Sequence, residues 1–393
     1  MTRPAQKHQL GDLVRFVSGG TPSKQNAAFW GGNRPWVSAK DLKRLRITTS
    51  IEMLTDEGYN VASRVAAGTV MILVRGMTLF KSIPIGIAMQ ELAINQDLKG
   101  LVPNKNISSH FLTYALLARQ STLLNMVEAA GHGTGRLDTD ALKELILRVP
   151  SRREQDRIVD ALVTWETGIE KTERLIFLRG RQQAWLLRKV VSATGQLVKL
   201  SEILKQVSRP VPKPIEAYWA LGIRSHGKGT FQRFVADPAS VDMAELYAVA
   251  RDELIVNITF AWEGAIAAVK PEDERCLVSH RFPTYEVNRQ IADPLFMKYI
   301  VNHKAFFLQL ALISPGGAGR NRVLNKKDFL KLTISLPPLG EQRRLAQILA
   351  AQDILIETEK SLLVSLNSQK RGLMQKLLTG QWRLKDLGLE AAK

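Results

Sequence analysis

The sequence has a single cysteine, Cys276, in 393 residues. One thiol excludes an internal disulfide framework and a Cys-rich zinc site, and it fits a reducing cytoplasm. No apolar run approaches the roughly 18 residues needed to span a bilayer. The longest, such as Val70–Val74, are strand-sized. Met1 to Leu10 lack the apolar core of a signal peptide, so a cytoplasmic location is expected. Acidic residues are also in short supply, at 37 Asp and Glu against 55 Lys and Arg, a formal net charge of +18. Such an excess suits a polyanion, nucleic acid being the commonest.

Catalytic signatures are missing as well. A methyltransferase acting on base amines needs a Gly-rich cofactor loop and an Asn/Asp-Pro-Pro-aromatic motif. Pro337-Pro338 lies instead between Leu336 and Leu339. A metal nuclease needs clustered carboxylates with a nearby lysine. Pro271-Glu-Asp-Glu274 clusters acids but runs into Arg275-Cys276, and it reads as a solvated loop. No His-Glu-x-x-His pair occurs, and none of the six histidines has metal-ligand spacing. Gly222-Ile-Arg-Ser-His-Gly227-Lys228-Gly229 falls one residue short of a P-loop, which requires Ser or Thr after the lysine. Thr230–Val235 then reads as a strand, whereas a P-loop opens a helix. A glycine-flanked basic loop touching a DNA backbone accounts for this segment better.

What the sequence does contain is an internal repeat, at an offset of 187. Pro150-Ser-Arg-Arg-Glu154-Gln155-Asp-Arg157 matches Pro337-Pro-Leu-Gly-Glu341-Gln342-Arg-Arg344. Leu162, Ile169, Glu170, Leu175, Gln182, Leu186 and Lys189 match their counterparts at 349, 356, 357, 362, 369, 373 and 376. That makes eleven identities over positions 150–190, where ordinary composition gives roughly two or three. Upstream, Gly133-Thr-Gly135-Arg136 resembles Gly317-Ala-Gly319-Arg320, and Leu10-Gly-Asp-Leu13 weakly resembles Leu200-Ser-Glu-Ile203. The net charge follows the same division. It is +7 for residues 1–148 (18 basic, 11 acidic), +3 for 149–196 (9 and 6), +5 for 197–336 (19 and 14) and +3 for 337–393 (9 and 6). With no basic tail, the excess points to an extended binding surface.

The shared segments read as long helices. Positions 158, 162, 165, 169, 172, 176, 179, 183, 186 and 190, and their equivalents in the second copy, have heptad spacing and are mostly apolar. Proline stands only where each helix begins. About 40 residues make a rod of roughly 60 Å. A single apolar stripe needs a partner, and the obvious one is the other copy, in a two-helix coiled coil. The regions before the helices look alike. Pro35–Ser38, Thr69–Val74 and Ile83–Ala88 read as strands and His110–Ala118 as a helix. Tyr218–Ile223, Glu253–Ile258, Ala265–Val269 and Phe282–Val287 read as strands and Leu295–His303 as the matching helix. Phe296 and Tyr299 echo Phe111 and Tyr114. Two scaffolds with divergent surfaces imply two related but different readers. A coiled-coil adaptor without DNA specificity, the recognition part of a fused nuclease–methyltransferase enzyme and an RNA-binding protein are the alternatives. The adaptor leaves the two basic regions unexplained, the fused enzyme needs several hundred more residues, and no ribonucleoprotein aromatic signature is present.

Nearly the whole chain resembles the specificity (S) subunit of type I restriction–modification systems. In the first half the resemblance is carried by Leu10-Gly-Asp-Leu13, Ser18-Gly-Gly-Thr21-Pro22, Phe29-Trp30-Gly31-Gly32 and Pro35-Trp36-Val37-Ser38-x-Lys40-Asp41. Val74-Arg75-Gly76-Met77, Asn95-Gln96-Asp97-Leu98-Lys99 and Gly133-Thr-Gly135-Arg136-Leu137 continue it. In the second half Leu221-Gly-Ile-Arg224, Phe260-Ala-Trp262-Glu263-Gly264-Ala265 and Ser279-His280-Arg281-Phe282-Pro283 are similar to family sequences. Both helices open with the family's Pro-x-x-x-Glu-Gln pattern, although Pro150 lacks the second proline of Pro337-Pro338.

The resemblance implies an α+β architecture of two pseudo-repeated α/β target recognition domains, separated by two long antiparallel coiled-coil helices. The expected boundaries are 1–148 and 197–336 for the recognition domains, 149–196 and 337–380 for the helical spacers, and 381–393 for a tail. It implies a non-catalytic subunit whose domains each read one half of a split site in double-stranded DNA, with the helices as a ruler. Partners would be two modification (methyltransferase) subunits and, where present, motor–nuclease restriction subunits. S-adenosylmethionine, ATP and Mg²⁺ belong to those partners, and no cofactor is expected in this chain. Candidate DNA contacts are Ser38, Lys40, Arg75, Thr78 and Arg136 in the first half, and Arg224, Lys228, Trp262, Arg281 and Arg320 in the second.

Overall fold

A computed structural model describes residues 5–130, 133–191, 195–316 and 322–383. These form two compact units, one within Met1–Thr172 and Leu362–Lys393, the other within Glu173–Ser361. Each unit combines an α/β region with part of each of the two long helices, Arg152–Val191 and Leu339–Thr379.

In the first unit, Val14–Ser18, Leu98–Pro103, Val70–Leu73, Ile85–Ala88 and Arg46–Ile47 form a five-stranded sheet in that order. The first three pairings are antiparallel and the last is parallel. Val70–Leu73 and Ile85–Ala88 are buried on both faces, which is why they read as unbroken apolar runs. A second sheet orders Glu52–Leu54, Trp30–Val37, Leu92–Ile94 and Arg64–Val65. In the second unit, Leu204–Val207, Thr284–Val287, Leu254–Val256 and Ile266–Ala268 repeat the order of the first four strands above. Its five-stranded sheet, running Pro210–Pro212, Glu245–Ala248, Leu277–Val278, Tyr218–Ile223 and Thr230–Val235, has no equivalent of the same order in the first unit.

The faint similarity of Leu10–Leu13 to Leu200–Ile203 has a structural cause. Each is a single helical turn with both apolar residues fully buried. The amide of Leu10 donates to the carbonyl of Leu145 at 2.9 Å, and that of Leu200 to Leu332 at 2.8 Å. The helix expected at His110–Ala118 spans Ser109–Leu117, and the one expected at Leu295–His303 spans Pro294–Val301. A further helix, Lys304–Leu312, follows the latter, and His303 caps it by accepting from the Ala305 amide.

The long helices pack antiparallel within each unit, along the heptad stripe. In the second unit Arg179 pairs with Glu359 at 2.6 Å and Gln183 donates to Asp353 at 2.6 Å. In the first, Lys370 pairs with Glu166 at 2.7 Å, while Leu377 and Leu378 join Ile158 and Leu162 in the core. Gln183–Asp353 and Glu166–Lys370 occupy equivalent places, since 183 and 370, like 166 and 353, are 187 apart. A tyrosine from the α/β region faces each acid. Tyr299 donates to Asp353 at 2.7 Å, and Tyr114 lies buried beside Glu166.

Burial first, and the adjacent acid second, push both tyrosine hydroxyls well above the usual phenol range. Burial alone takes Tyr285 to about 12. A raised folded-state pKa favours the neutral phenol in the native state. The stability this contributes is complete below the unfolded value near 10 and is lost as pH climbs through the folded values. Thermal melts between pH 8 and 11.5 should show a steep decline above pH 10. Tyr299→Phe should flatten it, and an unchanged slope would remove Tyr299 from this account.

Candidate nucleic-acid interface

In the first unit the candidate residues gather around the turn Asn95-Gln96-Asp97. The Asn95 amide donates to the carbonyl of Val37 at 2.9 Å, immediately before Ser38. The Val74 amide donates to the carbonyl of Asp97 at 2.8 Å, immediately before Arg75. The turn is itself pinned, for the Asn95 side-chain Nδ2 donates to the Asp97 carboxylate at 3.0 Å. Gly19 passes so close that a Cβ there would lie 1.8 Å from the Asn95 carbonyl oxygen, which explains glycine at this place.

Ser38 spends its groups locally, its amide and hydroxyl both donating to Asp41 at 2.8 and 3.1 Å. Lys40 is exposed and pairs with Glu52 at 3.6 Å. Lys24 shares that carboxylate at 3.3 Å and lies over the rings of Trp30 and Trp36. Arg75 and Arg136 are brought directly opposite each other. Arg75–Gly76 pairs antiparallel with Thr134–Leu137 in a register that sets Arg136 against Arg75. Both side chains are exposed, and Arg136 makes a 3.4 Å contact with Asp138. Like charges at facing positions destabilise a sheet unless an anion lies across them. Thr78 is exposed on the 3₁₀ turn Met77–Phe80, which begins where this strand ends.

In the second unit Arg224, Lys228, Trp262 and Arg281 border one turn. The loop after Tyr218–Ile223 closes with the Arg224 amide donating to the Gly229 carbonyl at 2.9 Å. Positive φ at His226, Gly227 and Gly229 shapes it. It docks on the 3₁₀ turn Ala261–Glu263, with His226 and Gly227 amides donating to the carbonyls of Glu263 and Gly264 and the Ser225 hydroxyl to the Glu263 carboxylate. Arg224 stacks on Phe231 at 5.0 Å, and Lys228 is exposed. The Ile258 amide donates to the carbonyl of Arg281, so Arg281 flanks the same turn. Trp262 is half-buried and carries the guanidinium of Arg322 at 5.2 Å from its ring centroid. Arg320 lies outside the described residues.

Arg275 stacked on Trp219 at 4.8 Å, with exposed Phe234 against the same tryptophan, was not legible in the sequence. The only local signal is Arg275 itself, and the pairing of Tyr218–Ile223 with Leu277–Val278 is long-range. One expectation is corrected. Pro271, Glu272 and Glu274 of the Pro271–Glu274 segment are exposed as expected, but Asp273 is buried, accepting from the Thr230 hydroxyl at 2.6 Å and from Gln232 at 3.0 Å. No cluster of three potential metal ligands occurs among the described residues. Among the same residues, no helix is long and apolar enough to cross a membrane.

The type I restriction modification DNA specificity domain matches residues 3–176 and 244–368. The EcoR124I/EcoR124II type I restriction enzyme specificity subunit of Escherichia coli is 30% identical over 161 residues, 40% of each chain. The MjaVIII specificity subunit of Methanocaldococcus jannaschii is 34% identical over 134 residues, 33% of this chain and 31% of the relative. These matches thus span well under half the length of either relative. The crystal structure of a type I restriction-modification S subunit from M. genitalium superposes with a TM-score of 0.58 at 15% identity, covering 95% of this chain and 96% of that one. A structure from work on complex assembly and conformational transition of the type I system gives 0.59 at 15% identity, covering 96% and 98%. At such identities these two establish the fold. The family match, over about three quarters of the sequence and falling on both copies of the repeat, is what assigns the chain: it belongs to the type I restriction modification DNA specificity family.

Proposed function

We propose that this chain is the DNA-recognition subunit of a type I restriction–modification complex and carries out no chemistry itself. Each unit reads one half of a split site in double-stranded DNA, and the long helices dock two modification methyltransferase subunits. The observation that carries this reading is the duplication itself. Four strands in the same order, with the same helix anchoring, occur twice, yet the two copies present different exposed cations and aromatics around their turns. Base readout requires that arrangement, a fixed frame with changeable side chains at the groove.

The helices support the docking half of the proposal. Phe177, Trp185, Ile354 and Val364 are exposed, away from the heptad seam. Exposed apolar residues along a helix pair fit a protein partner. S-adenosylmethionine bound by those partners, and ATP and Mg²⁺ bound by a restriction subunit, supply the chemistry.

The test is co-expression with the neighbouring modification subunit, followed by genome-wide mapping of methylated adenines. A split motif with a constant gap is expected. A single uninterrupted motif, or no methylation, sinks the proposal.

A further inference from the structure

We propose that Met77 and Phe80 form an apolar wedge that enters the minor groove and opens one base step of the half-site read by the first unit. The proposal rests on the DNA-recognition reading above.

The wedge follows from local geometry. Met77–Phe80 is a 3₁₀ turn. At three residues per turn, side chains at i and i+3 eclipse, so Met77 and Phe80 share one side. That side faces outward, with Met77 73% and Phe80 51% exposed, while Leu79 between them is fully buried. The turn is held rigidly, since the Lys81 and Ser82 amides both donate to the Thr78 carbonyl, at 2.9 and 3.0 Å. The strand Thr134–Leu137 lies hard against it, for a Cβ at Gly135 would come within 3.0 Å of Leu79 Cβ. This same strand sets Arg136 opposite Arg75, at the foot of the turn.

Two unfavourable features thus stand side by side: a solvent-exposed Met–Phe pair and two facing arginines. One ligand relieves both. Duplex DNA offers phosphates to the arginines and, at an opened step, apolar base faces to the wedge. Proteins that insert Phe or Met between base steps kink the duplex in this way, and guanidinium groups favour the minor groove.

The second unit reaches the same combination with different residues. After its matching strand comes the turn Ala261–Glu263, next to Phe260, which is 41% exposed, and carrying Trp262 under the Arg322 guanidinium. Two turns with unrelated sequences both pair exposed apolar surface with arginine. A ligand common to both units, as duplex DNA is, explains the recurrence more directly than a protein contact peculiar to one.

The experiment uses the full complex with its modification subunits and a duplex carrying the mapped motif. 2-Aminopurine is placed at each position of the first unit's half-site in turn. A severalfold rise in fluorescence is expected at neighbouring positions flanking one step. Met77→Ser with Phe80→Ser should abolish the rise and weaken binding about tenfold. Met77→Leu with Phe80→Leu, which keeps the apolar bulk, should retain it. Should no position brighten with the unsubstituted protein while the motif is bound, the wedge is overturned and the recognition reading stands. Should the complex fail to bind the duplex at all, the recognition reading falls. If the serine variant loses its modification subunits yet binds the duplex with unchanged brightening, the turn is a protein contact and the wedge is again overturned.

Discussion

Gln342→Ala is expected to destabilise the second unit by about 3–5 kcal/mol, while the adjacent Glu341→Ala changes little. The two residues are neighbours in the repeated Pro-x-x-x-Glu-Gln pattern, but only the glutamine is buried. Its side-chain oxygen accepts from the Asp293 amide at 3.0 Å. Its amide nitrogen donates to the carbonyls of Ile291 at 3.1 Å and Pro337 at 2.9 Å. Asp293 is the N-cap of the helix Pro294–Val301, accepting from the Phe296 amide. One side chain therefore ties the start of the long helix to the start of the helix that carries Phe296 and Tyr299.

Gln155 does the same in the first unit. It accepts from the Ser108 amide and donates to the carbonyls of Asn106 and Pro150, and Ser108 caps Ser109–Leu117. Removing either glutamine breaks three buried or partly buried hydrogen bonds to the backbone, and a backbone group left buried without a partner costs about 1–3 kcal/mol. Leucine at the same position would restore volume but no hydrogen bond, so it should not rescue. Chemical denaturation followed by near-UV circular dichroism separates the cases. Equal midpoints for Gln342→Ala and Glu341→Ala would refute the assignment.

This glutamine marks the boundary of what the sequence could disclose. The repeat makes Gln155 and Gln342 visible as a matched pair, and heptad spacing makes the seam from Ile158 to Leu186 visible as a stripe. Both are local periodicities. The seam's polar members were visible too, but only packing reveals that Arg179 meets Glu359 and Lys370 meets Glu166. What each glutamine bonds to depends on a loop 47 to 51 residues earlier in the chain. No spacing rule reaches that far.

The candidate interface divides the same way. Positive-φ glycines and a basic loop at Arg224–Gly229 are legible because turn chemistry is local. The burial of Asp273 is not legible, because its partners Thr230 and Gln232 come from a strand about 40 residues away. In the sequence Arg75 and Arg136 stand far apart as two separate candidate contacts. Their pairing across two strands is a tertiary fact, and it changes their meaning from two scattered charges to one concentrated site.

That pairing gives the second large effect. Arg75→Ala with Arg136→Ala is expected to weaken binding to motif-bearing duplex by about 30-fold or more, taking about 1–3 kcal/mol per arginine contact. The salt dependence should fall with it. If both arginines meet phosphates, the slope of log affinity against log salt drops by about 2. Folding stability should move the other way or not at all. Removing one of two like charges at facing strand positions relieves a repulsion, and neither side chain anchors the core, both being exposed. A residue kept for structure loses stability when truncated, whereas a charge kept for an absent ligand does not. Melting temperature and duplex affinity, measured on the same variant, therefore discriminate. Lost affinity with unchanged melting assigns the pair to DNA. Unchanged affinity would place the first unit's contacts elsewhere. Lowered melting with proportionate loss of binding would make the pair part of the scaffold. The effect should also be confined to one half-site, because Arg75 and Arg136 belong wholly to the first unit. Substituting bases in the other half of the motif should then cost the variant as much as it costs the unsubstituted protein.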